Sequence, residues 1–473
     1  MVGRWKANQD SSKGLIERLK EDMISELPDS LICQILYHLP THDAVRTSVL
    51  STRWRNLWLW VPSLELASCE FPDFNAFVSF SDRVLDSNRV SRIHRIKLDI
   101  YENKGSVDET SFLKSWIDSA VKHKIQHLDV SCPPEFYYEM PRSLFICETL
   151  VSLKLFQVNV VNAEFVSLPC LKTMYLEDNR YPDETTCGRL VSSCPVLEDL
   201  KIDIAWNDTK GYRVCSRSLK RLTLVRVSPF KFDSVSGVVI DAPLLCTLSI
   251  NDHASESFRV DSLESNAKLY ISLLFGLRNY DEASITSRRN KIGCFLSGIS
   301  SVREMIICPR TFKVIYEFSK LEPLPQFGCM SRLYVTLCLS NLEWLSTFLE
   351  SCPNLKSLTL DWNGNSKKMR IEEMSQISFS SVPECLLTSL EFVDIKSTIL
   401  GYAVEMEVLR YFLENSTILK KLDLCLHYHA IQDDFVKKLL KVPRRSSTCQ
   451  VVVVGLEKTL ENMSSLSLTG LSN

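Results

Sequence analysis

A short apolar pattern recurs along most of this chain. Each copy consists of an apolar residue, two other residues, a second apolar residue, one other residue and a third apolar residue. The clear copies begin at Leu150, Leu171, Leu197, Leu219, Leu245, Leu355, Leu390 and Leu419, and weaker copies begin at Ile93, Ile125 and Val302. The alternation at the end of each copy predicts a β-strand whose middle residue faces outward. Because one such strand cannot bury its apolar side alone, neighbouring copies must stack.

The spacing of the copies indicates the kind of stack. The first five clear copies begin at positions 150, 171, 197, 219 and 245, which fits the period of about 20–29 residues in leucine-rich repeats. Helical segments that end near Cys194, Cys352 and Ser416 lead into three of the strands, and Pro195 and Pro353 break two of those helices. The sequence therefore predicts an α/β fold with an irregular leucine-rich-repeat solenoid over about residues 90–380.

Two stretches depart from the regular spacing. Between residues 252 and 331 only faint copies occur, around Leu269-Ile271 and Leu333-Val335, so the repeat boundaries stay open there. Upstream of the strands, the apolar spacing over residues 71–88 and 112–121 predicts two helices.

The segment from Leu27 to Trp58 forms a compact piece of its own. Pro28 suits a first helical turn, Pro40 ends that helix, and Thr41 is predicted to cap the next one. The first helix is predicted to gather five apolar residues on one face: Leu31, Ile32, Ile35, Leu36 and Leu39. So short a segment cannot enclose all of its apolar surface, which indicates that part of the surface contacts another protein.

Residue by residue, this segment resembles the F-box, the module that attaches a substrate receptor to a Skp–cullin–F-box ubiquitin ligase. The matching positions are Leu27-Pro28, Leu31, Ile35, Leu39, Val45, Leu50-Ser51 and Arg53-Trp54. The resemblance implies a three-helix domain over residues 22–68. It also implies the adaptor-binding residues Leu27, Pro28, Leu31, Ile32, Ile35, Leu36, Leu39, Pro40, Val45, Leu50 and Trp54. From the pattern alone, an ordinary three-helix piece of a larger core is the alternative.

The carboxy-terminal segment, residues 381–455, resembles the FBD domain that follows F-box and leucine-rich-repeat regions in a large group of plant proteins. The likeness is carried by a strand at 390–393, a helix at 405–414 and a strand at 449–454. With the repeat region assigned to residues 69–380, the three predicted domains cover most of the chain.

Composition argues against several other classes of protein. The 55 Lys and Arg residues nearly balance the 57 Asp and Glu residues, so the net charge of −2 gives no support for nucleic-acid binding. We find no signal peptide and no apolar run of the about 18 residues that a membrane span needs. The 17 cysteines include no CxxC pair, and reduced thiols are expected. We therefore expect a protein of the cytoplasm or nucleus that does not enter a membrane.

Motifs for catalysis or cofactor binding are lacking in the sequence. No phosphate-binding loop, GxSxG or HExxH occurs, so neither a catalytic site nor a cofactor is expected. His123 and His127 have the spacing of a helical metal pair, but they flank a predicted strand that would hold them about 13 Å apart. Another candidate metal set is Asp423, Cys425, His427 and His429, with a solvated strand face as the alternative. The basic run Lys437, Lys438, Lys441, Arg444 and Arg445 fits either a phosphate or nuclear-import patch or a solvated helix end.

The resemblances imply a non-catalytic substrate-recognition subunit of a ubiquitin ligase. The F-box would bind a Skp-type adaptor, which bridges to a cullin complex, and the repeat and FBD regions would hold a target protein. The predicted target-facing residues are the outward strand positions Lys154, Tyr175, Lys201, Thr223, Ser249, Thr359 and Asp423. They differ in charge and size, so they define no class of target. The alternative function is a leucine-rich-repeat scaffold that binds partners without degrading them.

Overall fold

A computed structural model of the chain describes residues 24, 26–85, 93–101, 111–133, 136–161, 165–205, 208, 210–226, 235–277, 280–337, 342, 344–362, 379, 381–427 and 435–455. The chain divides into two compact units, Met1–Leu153 and Lys154–Asn473. Each unit has its own set of parallel strands and its own buried residues.

The first unit begins with the predicted F-box helices. These are α1 (Asp29–Tyr37), α2 (Thr41–Arg46), a single 3-10 turn (Thr47–Val49) and a 3-10 helix (Trp54–Trp60). Pro28 and Pro40 directly precede α1 and α2, where a proline costs no backbone hydrogen bond. The three-residue turn of the 3-10 helix places Trp54 and Leu57 on the same buried side.

The rest of the first unit contains a small parallel sheet and two α-helices. The strands are β1 (Ser63–Ala67), β2 (Arg95–Asp99) and β3 (His127–Ser131), and the helices are α3 (Phe74–Leu85) and α4 (Ser111–Lys122). Both helices lie where the sequence predicts them. They pack together through Phe77 and Trp116, whose rings meet edge to face with their centroids 5.5 Å apart. The next strand, β4 (Ser152–Phe156), crosses the division between the two units.

The second unit contains a long parallel sheet built from the predicted repeats. Its strands, in spatial order, are β5 (Thr173–Asn179), β6 (Asp199–Ile204), β8 (Arg221–Arg226), β10 (Thr247–Asp252), β12 (Lys268–Leu273), β13 (Glu304–Ile307), β14 (Arg332–Leu337), β15 (Ser357–Trp362), β16 (Phe392–Ile399), β17 (Lys421–Leu426) and β18 (Gln450–Gly455). Equivalent apolar residues of successive repeats are paired, as Leu200, Leu222 and Leu248 are. The leucine-rich-repeat prediction is confirmed, also in the region of faint copies, which contains β12 and β13.

Three successive repeats return through a strand instead of a helix. β7 (Tyr212–Cys215), β9 (Val238–Asp241) and β11 (Phe258–Ser262) form a second parallel sheet in the order β11-β9-β7. Helix α5 (Glu184–Ser192) packs against β7 and helix α6 (Glu282–Gly298) against β11, so each edge strand has a helical neighbour. Glycine permits both contacts, because a Cβ on Gly188 would lie 3.2 Å from the Arg213 carbonyl oxygen and a Cβ on Gly298 would clash with the Val260 carbonyl.

A buried arginine at the end of β8 joins the two sheets of the second unit. The Arg226 guanidinium donates to Ser255 Oγ at 2.7 Å and to the Lys210 carbonyl oxygen at 2.8 Å. It lies 5.2 Å from the centre of the Tyr212 ring in β7, and Nε is 4.0 Å from Asp252 Oδ2. Because a buried charge needs such partners, Arg226 fixes the position of the small sheet on the large one.

The predicted FBD segment continues the large sheet. The remaining helices of the second unit are α7 (Pro309–Ser319), α8 (Trp344–Leu349), α9 (Glu384–Thr388), α10 (Ala403–Asn415) and α11 (Phe435–Lys441). α10 and β18 confirm the helix predicted at 405–414 and the strand predicted at 449–454. The strand predicted at 390–393 is β16, which begins two residues later at Phe392. Pairing of Leu358, Val393 and Leu422 joins these strands to the repeats.

Candidate functional site

Helix α1 presents two different apolar faces. Ile32 and Leu36 are 0% exposed and belong to a core that also contains Ala44, Trp54, Leu57 and Val61. Leu31 and Ile35 are 44% and 45% exposed, and Leu39, just beyond the helix, is 39% exposed. At about 100° per residue the predicted apolar stripe spans about 140° of the helix, and the core covers only the part of it that holds Ile32 and Leu36. Ile32 and Leu36 therefore hold the domain together, and Leu31 and Ile35 face outward.

The other residues predicted to bind an adaptor also separate into core and surface. Trp54 is 4% exposed and lies in the core of the domain, so its large side chain is not available to a partner. The half-buried residues are Leu27 and Val45, and the exposed ones are Pro28, Pro40 and Leu50.

Four exposed apolar residues of this segment were not included in the predicted adaptor-binding set: Ile24, Tyr37, Val49 and Trp60. Val49 is 87% exposed beside Leu50, and Trp60 is 66% exposed at the end of the 3-10 helix. Val49 directly precedes the predicted residue Leu50, whereas no signal in the sequence separates Trp60 from the buried tryptophan Trp54.

Polar contacts fix the F-box helices relative to one another. Arg53 Nε donates to Asp29 Oδ1 at 2.8 Å, and Arg53 Nη2 also donates to the carbonyl oxygen of Leu27. These bonds attach the residue before the 3-10 helix to the start of α1. Thr41 does not cap α2 as predicted, since its Oγ1 accepts a hydrogen bond of 2.7 Å from the backbone N–H of Glu65 in β1. The hydroxyl thus joins the helices to the first strand.

The outward face of the large sheet carries a continuous row of side chains, one from each strand. In register order the row is Tyr175, Lys201, Thr223, Ser249, Tyr270, Ile306, Tyr334, Thr359, Asp394, Asp423 and Val452. Six of the predicted target-facing residues belong to this row. The seventh, Lys154, lies in β4 with Nζ 5.3 Å from the centre of the Tyr175 ring. The structure therefore brings all seven onto one face.

Five members of the row were missed from the sequence: Tyr270, Ile306, Tyr334, Asp394 and Val452. A signal for them exists, because each lies between two apolar residues of a copy of the pattern, as Tyr270 does between Leu269 and Ile271. The copies at β12, β13 and β14 are faint or weak, and their middle residues were therefore not assigned to the outward face.

Carboxylates on the outward face are mostly paired. Lys201 Nζ lies 3.0 Å from Glu177 Oε1, Lys396 Nζ lies 2.7 Å from Asp394 Oδ2, and Tyr334 Oη donates to Asp361 Oδ2 at 3.0 Å. Burial, together with the nearby Asp361 charge, raises the pKa of Tyr334 to about 12. Its hydroxyl therefore stays protonated and donates near neutral pH.

Asp203 is a carboxylate on this face whose pKa is strongly raised. Burial raises the pKa of Asp203 to about 6, and the charges of Glu177 and Asp178 act in the same direction, whereas Lys201 opposes them. The charge of this part of the face therefore changes between weakly acidic and neutral pH.

The structure separates the residues of the two predicted metal sets. His123 follows the end of α4, where its Nδ1 is 2.8 Å from the Ser119 carbonyl oxygen, and a tight turn at Lys124 leads to His127 in β3. His127 begins β3 and His123 lies before it, so the two histidines do not flank a strand as was predicted. Cys425 is buried, although it was expected to face outward with Asp423 and His427. His429 lies outside the described residues, among which no group of three or more potential ligands could hold a metal ion.

The predicted basic run is exposed at and after helix α11. Phe435 and Leu439 of this helix are buried, and Lys437, Lys438 and Lys441 lie on its exposed side. Arg444 donates to the carbonyl oxygen of Cys449 at 2.9 Å. Exposure of these cations is common to the solvated helix end and to a phosphate or nuclear-import patch.

Three family models match parts of the chain. The F-box domain model matches residues 24–66, the model described as FBD-associated F-box protein At5g56370, LRR repeats, matches residues 113–265, and the FBD model matches residues 376–424. Two relatives from Arabidopsis thaliana match over nearly the whole chain. A putative FBD-associated F-box protein is 58% identical over 434 residues, which are 91% of this chain and 100% of the relative. A putative F-box/FBD/LRR-repeat protein is 55% identical over 445 residues, 94% of this chain and 99% of the relative.

An F-box with an exposed apolar helix face, followed by a repeat sheet that ends in an FBD segment, defines a class of multidomain F-box proteins. The chain belongs to the F-box/FBD/LRR-repeat protein family. Where the structure describes the chain, none of its helices combines the length and the apolar character needed to cross a membrane.

Proposed function

We propose that this chain is the target-recognition subunit of a Skp–cullin–F-box ubiquitin ligase. The proposed domains are the F-box over residues 22–68, the repeats over 69–380 and the FBD region over 381–455. The observation that carries the proposal is that α1 completes a core with Ile32 and Leu36 yet leaves Leu31 and Ile35 nearly half exposed. Apolar side chains that lie exposed together on a folded domain indicate a surface that binds a partner. In an F-box protein that partner is a Skp-type adaptor.

The proposed adaptor surface has two exposed parts. The first consists of Leu31 and Ile35 on α1, continued by Leu39 one turn further on. The second consists of Val49 and Leu50 after α2. Their burial against an adaptor would contribute about 1.5–3 kcal/mol for each fully buried side chain.

In this proposal the chain acts by proximity. The adaptor bridges the F-box to a cullin complex, and the row of outward residues from Tyr175 to Val452 holds the target. A lysine of the bound target is then kept near an activated ubiquitin thioester carried by another subunit, so its effective concentration rises without a catalytic group in this chain.

The proposal is tested by titrating purified full-length chain with a plant Skp-type adaptor in a calorimeter. The wild type is compared with the double variant Leu31→Ser/Ile35→Ser. Leu440→Ser serves as the matched control, because Leu440 is also an exposed leucine on a helix but lies on α11, outside the F-box. Its exposed fraction is 66%. We expect one-to-one binding by the wild type and the control, and a loss of affinity of at least about tenfold in the double variant.

Circular dichroism of the three proteins shows whether each one is folded. The proposal is contradicted if the folded wild type does not bind the adaptor at micromolar concentration. It is also contradicted if the double variant binds as tightly as the wild type. A folded wild type without adaptor binding would support the scaffold alternative instead.

A further inference from the structure

Charge is distributed unevenly along the strands of the large sheet. We define the basic edge by two positions in each strand of the large sheet from β5 to β18, namely the first residue of the strand and the residue before it. Backbone hydrogen bonds and strand register align these positions along the sheet. Its cations are Lys172, Lys220, Arg221, Lys268, Arg303, Arg332, Lys356, Lys420 and Lys421. Its carboxylates are Glu198, Asp199, Glu304 and Glu391. The basic edge therefore carries a clear excess of positive charge.

Further along the same strands, carboxylates outnumber cations. The carboxylates there are Glu177, Asp178, Asp203, Asp252, Asp361, Asp394 and Asp423, and the cations are Lys201, Arg226 and Lys396. Several of these carboxylates have partners, since Lys421 reaches Asp423 at 2.8 Å and Ser397 Oγ donates to Asp361 at 2.7 Å. Cations of the basic edge are also paired, as Lys220 is with Glu198 and Lys420 with Glu391. The difference between the two parts therefore lies in the excess of cations on the basic edge.

An apolar patch adjoins the centre of the basic edge. Tyr270, Ile306 and Tyr334 are paired across three neighbouring strands, so their side chains stand next to one another in the outward row. Tyr270 is 37% exposed, and the other two are half-buried. Aromatic side chains held on a rigid sheet and surrounded by polar residues are typical anchors of a protein interface.

The cations beside this patch share one carboxylate. Glu304 Oε2 lies 3.2 Å from Lys268 Nζ and 3.8 Å from Arg332 Nη1, while Arg303 Nη1 donates to the Asn266 side chain at 3.4 Å. The side chains of Lys268 and Arg332 are 49% and 65% exposed. Two exposed cations, Lys268 and Arg332, thus share a single carboxylate where the apolar patch begins, and Arg303 lies next to Glu304 in the sequence.

We propose that the centre of the basic edge, formed by Lys268, Arg303 and Arg332, and the Tyr270–Ile306–Tyr334 patch together bind an acidic, extended protein segment of the target. This inference rests on the proposed function and deepens it by giving the chemical class of the target. Carboxylates of the segment pair with Arg303, Arg332 and Lys268, and an apolar or aromatic side chain of the segment packs on Tyr270. The excess of carboxylates over cations further along the strands disfavours an acidic segment there, which confines it to the basic edge.

Binding is measured by fluorescence anisotropy with purified full-length chain and a fluorescein-labelled random copolymer of glutamate and tyrosine. A lysine–tyrosine copolymer and single-stranded poly(U) test the two other classes of partner. The variants are Arg332→Glu, the milder Arg332→Gln, and Tyr270→Ala. Lys172→Glu is the matched charge control, because Lys172 also lies on the basic edge but six strands away, which is about 29 Å.

We expect the glutamate–tyrosine copolymer to bind and Arg332→Glu to weaken binding by at least about tenfold. Arg332→Gln should give a smaller loss, and Tyr270→Ala should weaken binding without changing its dependence on salt. Lys172→Glu should have little effect. Equal losses of affinity in Lys172→Glu and Arg332→Glu would overturn the proposal. So would tighter binding of the lysine–tyrosine copolymer or of poly(U) than of the glutamate–tyrosine copolymer. Absence of copolymer binding by the folded wild type would also overturn it.

Adaptor binding by the same samples separates this inference from the proposed function. Loss of copolymer binding with intact adaptor binding contradicts only the inference about an acidic segment. Absence of adaptor binding contradicts the proposed function itself, whatever the copolymer does.

Discussion

Ile35 and Leu36 are neighbours in the sequence and lie about 100° apart around helix α1, with Ile35 45% exposed and Leu36 0% exposed. Leu36 packs in the F-box core with Ile32 and Trp54, whereas Ile35 forms the outward stripe with Leu31. Folding and partner binding therefore depend on different residues of the same helical turn. This separation allows the two roles to be tested independently.

Leu36→Ala should destabilise the F-box by about 2–5 kcal/mol, because it leaves a cavity among residues that cannot collapse fully. Ile35→Ala should cost less than about 1 kcal/mol while weakening adaptor binding. Hydrogen exchange of the α1 amides measures the difference. Faster exchange in Ile35→Ala than in Leu36→Ala would contradict the assignment of the two faces.

Glu405 stabilises the turn between β16 and α10. Its buried carboxylate accepts hydrogen bonds from the backbone N–H groups of Leu400 at 3.0 Å, Gly401 at 2.8 Å and Tyr402 at 2.9 Å. Glu405→Ala would leave these donors unpaired and should destabilise the region by about 3 kcal/mol or more. Glu405→Gln should lose less, because the amide oxygen still accepts.

The control for this prediction is Glu407→Gln on the same helix, where Glu407 makes an ion pair of 3.2 Å with Arg410 at the surface. It should change stability by less than about 1 kcal/mol. Urea unfolding of the full chain, with hydrogen exchange in residues 392–415, measures both effects. Similar losses in Glu405→Ala and Glu407→Gln would contradict the role of the carboxylate.

Asp203 should make stability depend on pH. Because burial raises its pKa from 3.8 to about 6, the folded chain retains a proton that the unfolded chain has already released. The contribution of Asp203 to stability therefore falls as pH rises from about 4 to about 6. Asp203→Asn should be more stable than wild type at pH 7 and little different at pH 4.

Thermal unfolding between pH 4 and pH 8 measures this difference. Lys201→Met provides a second test, since Lys201 lowers the pKa of Asp203 and its removal should move the loss of stability to higher pH. The same melting temperature in Asp203→Asn and wild type at every pH would show that Asp203 has no part in the dependence.

Gly298→Ala should destabilise the contact between α6 and β11. A Cβ at position 298 would clash with the Val260 carbonyl, which belongs to a strand and cannot move freely. Gly328→Ala is the matched control, because a Cβ there would have nothing within 4 Å. Differential scanning calorimetry should show a melting temperature lowered by several degrees, about 1–3 kcal/mol, for Gly298→Ala only. Equal melting temperatures would contradict the close packing.

The repeat pattern predicts the strands well because the spacing of the leucines follows from the burial of one face of each strand. Leu200, Leu222 and Leu248 must be in register if each is to be buried, so the spacing of their repeats also predicts the parallel sheet and its outward row. The spacing of the copies becomes irregular where the long helix α6 lies between β12 and β13. Tyr270 and Ile306, which are central to the outward face, were therefore not assigned to it from the sequence.

Tertiary packing decided the features that the sequence predicted wrongly. Ile32, Leu36 and Trp54 look equivalent to Leu31 and Ile35 in a hydrophobicity pattern, and only the position of the core distinguishes them. The small β11-β9-β7 sheet was not predicted either. Its strands take the place of repeat helices, and the contacts that stabilise it come from α5, α6 and the buried Arg226.

The central claim is that this chain joins a target to a cullin complex through an adaptor. The most direct measurement is size-exclusion chromatography with light scattering of the full-length chain, a plant Skp-type adaptor and a cullin. We expect the chain to co-elute with the cullin only when the adaptor is present, in a one-to-one-to-one complex, and the Leu31→Ser/Ile35→Ser variant to elute alone. If the chain binds the adaptor but the cullin elutes separately, this chain is not a subunit of a Skp–cullin–F-box ligase.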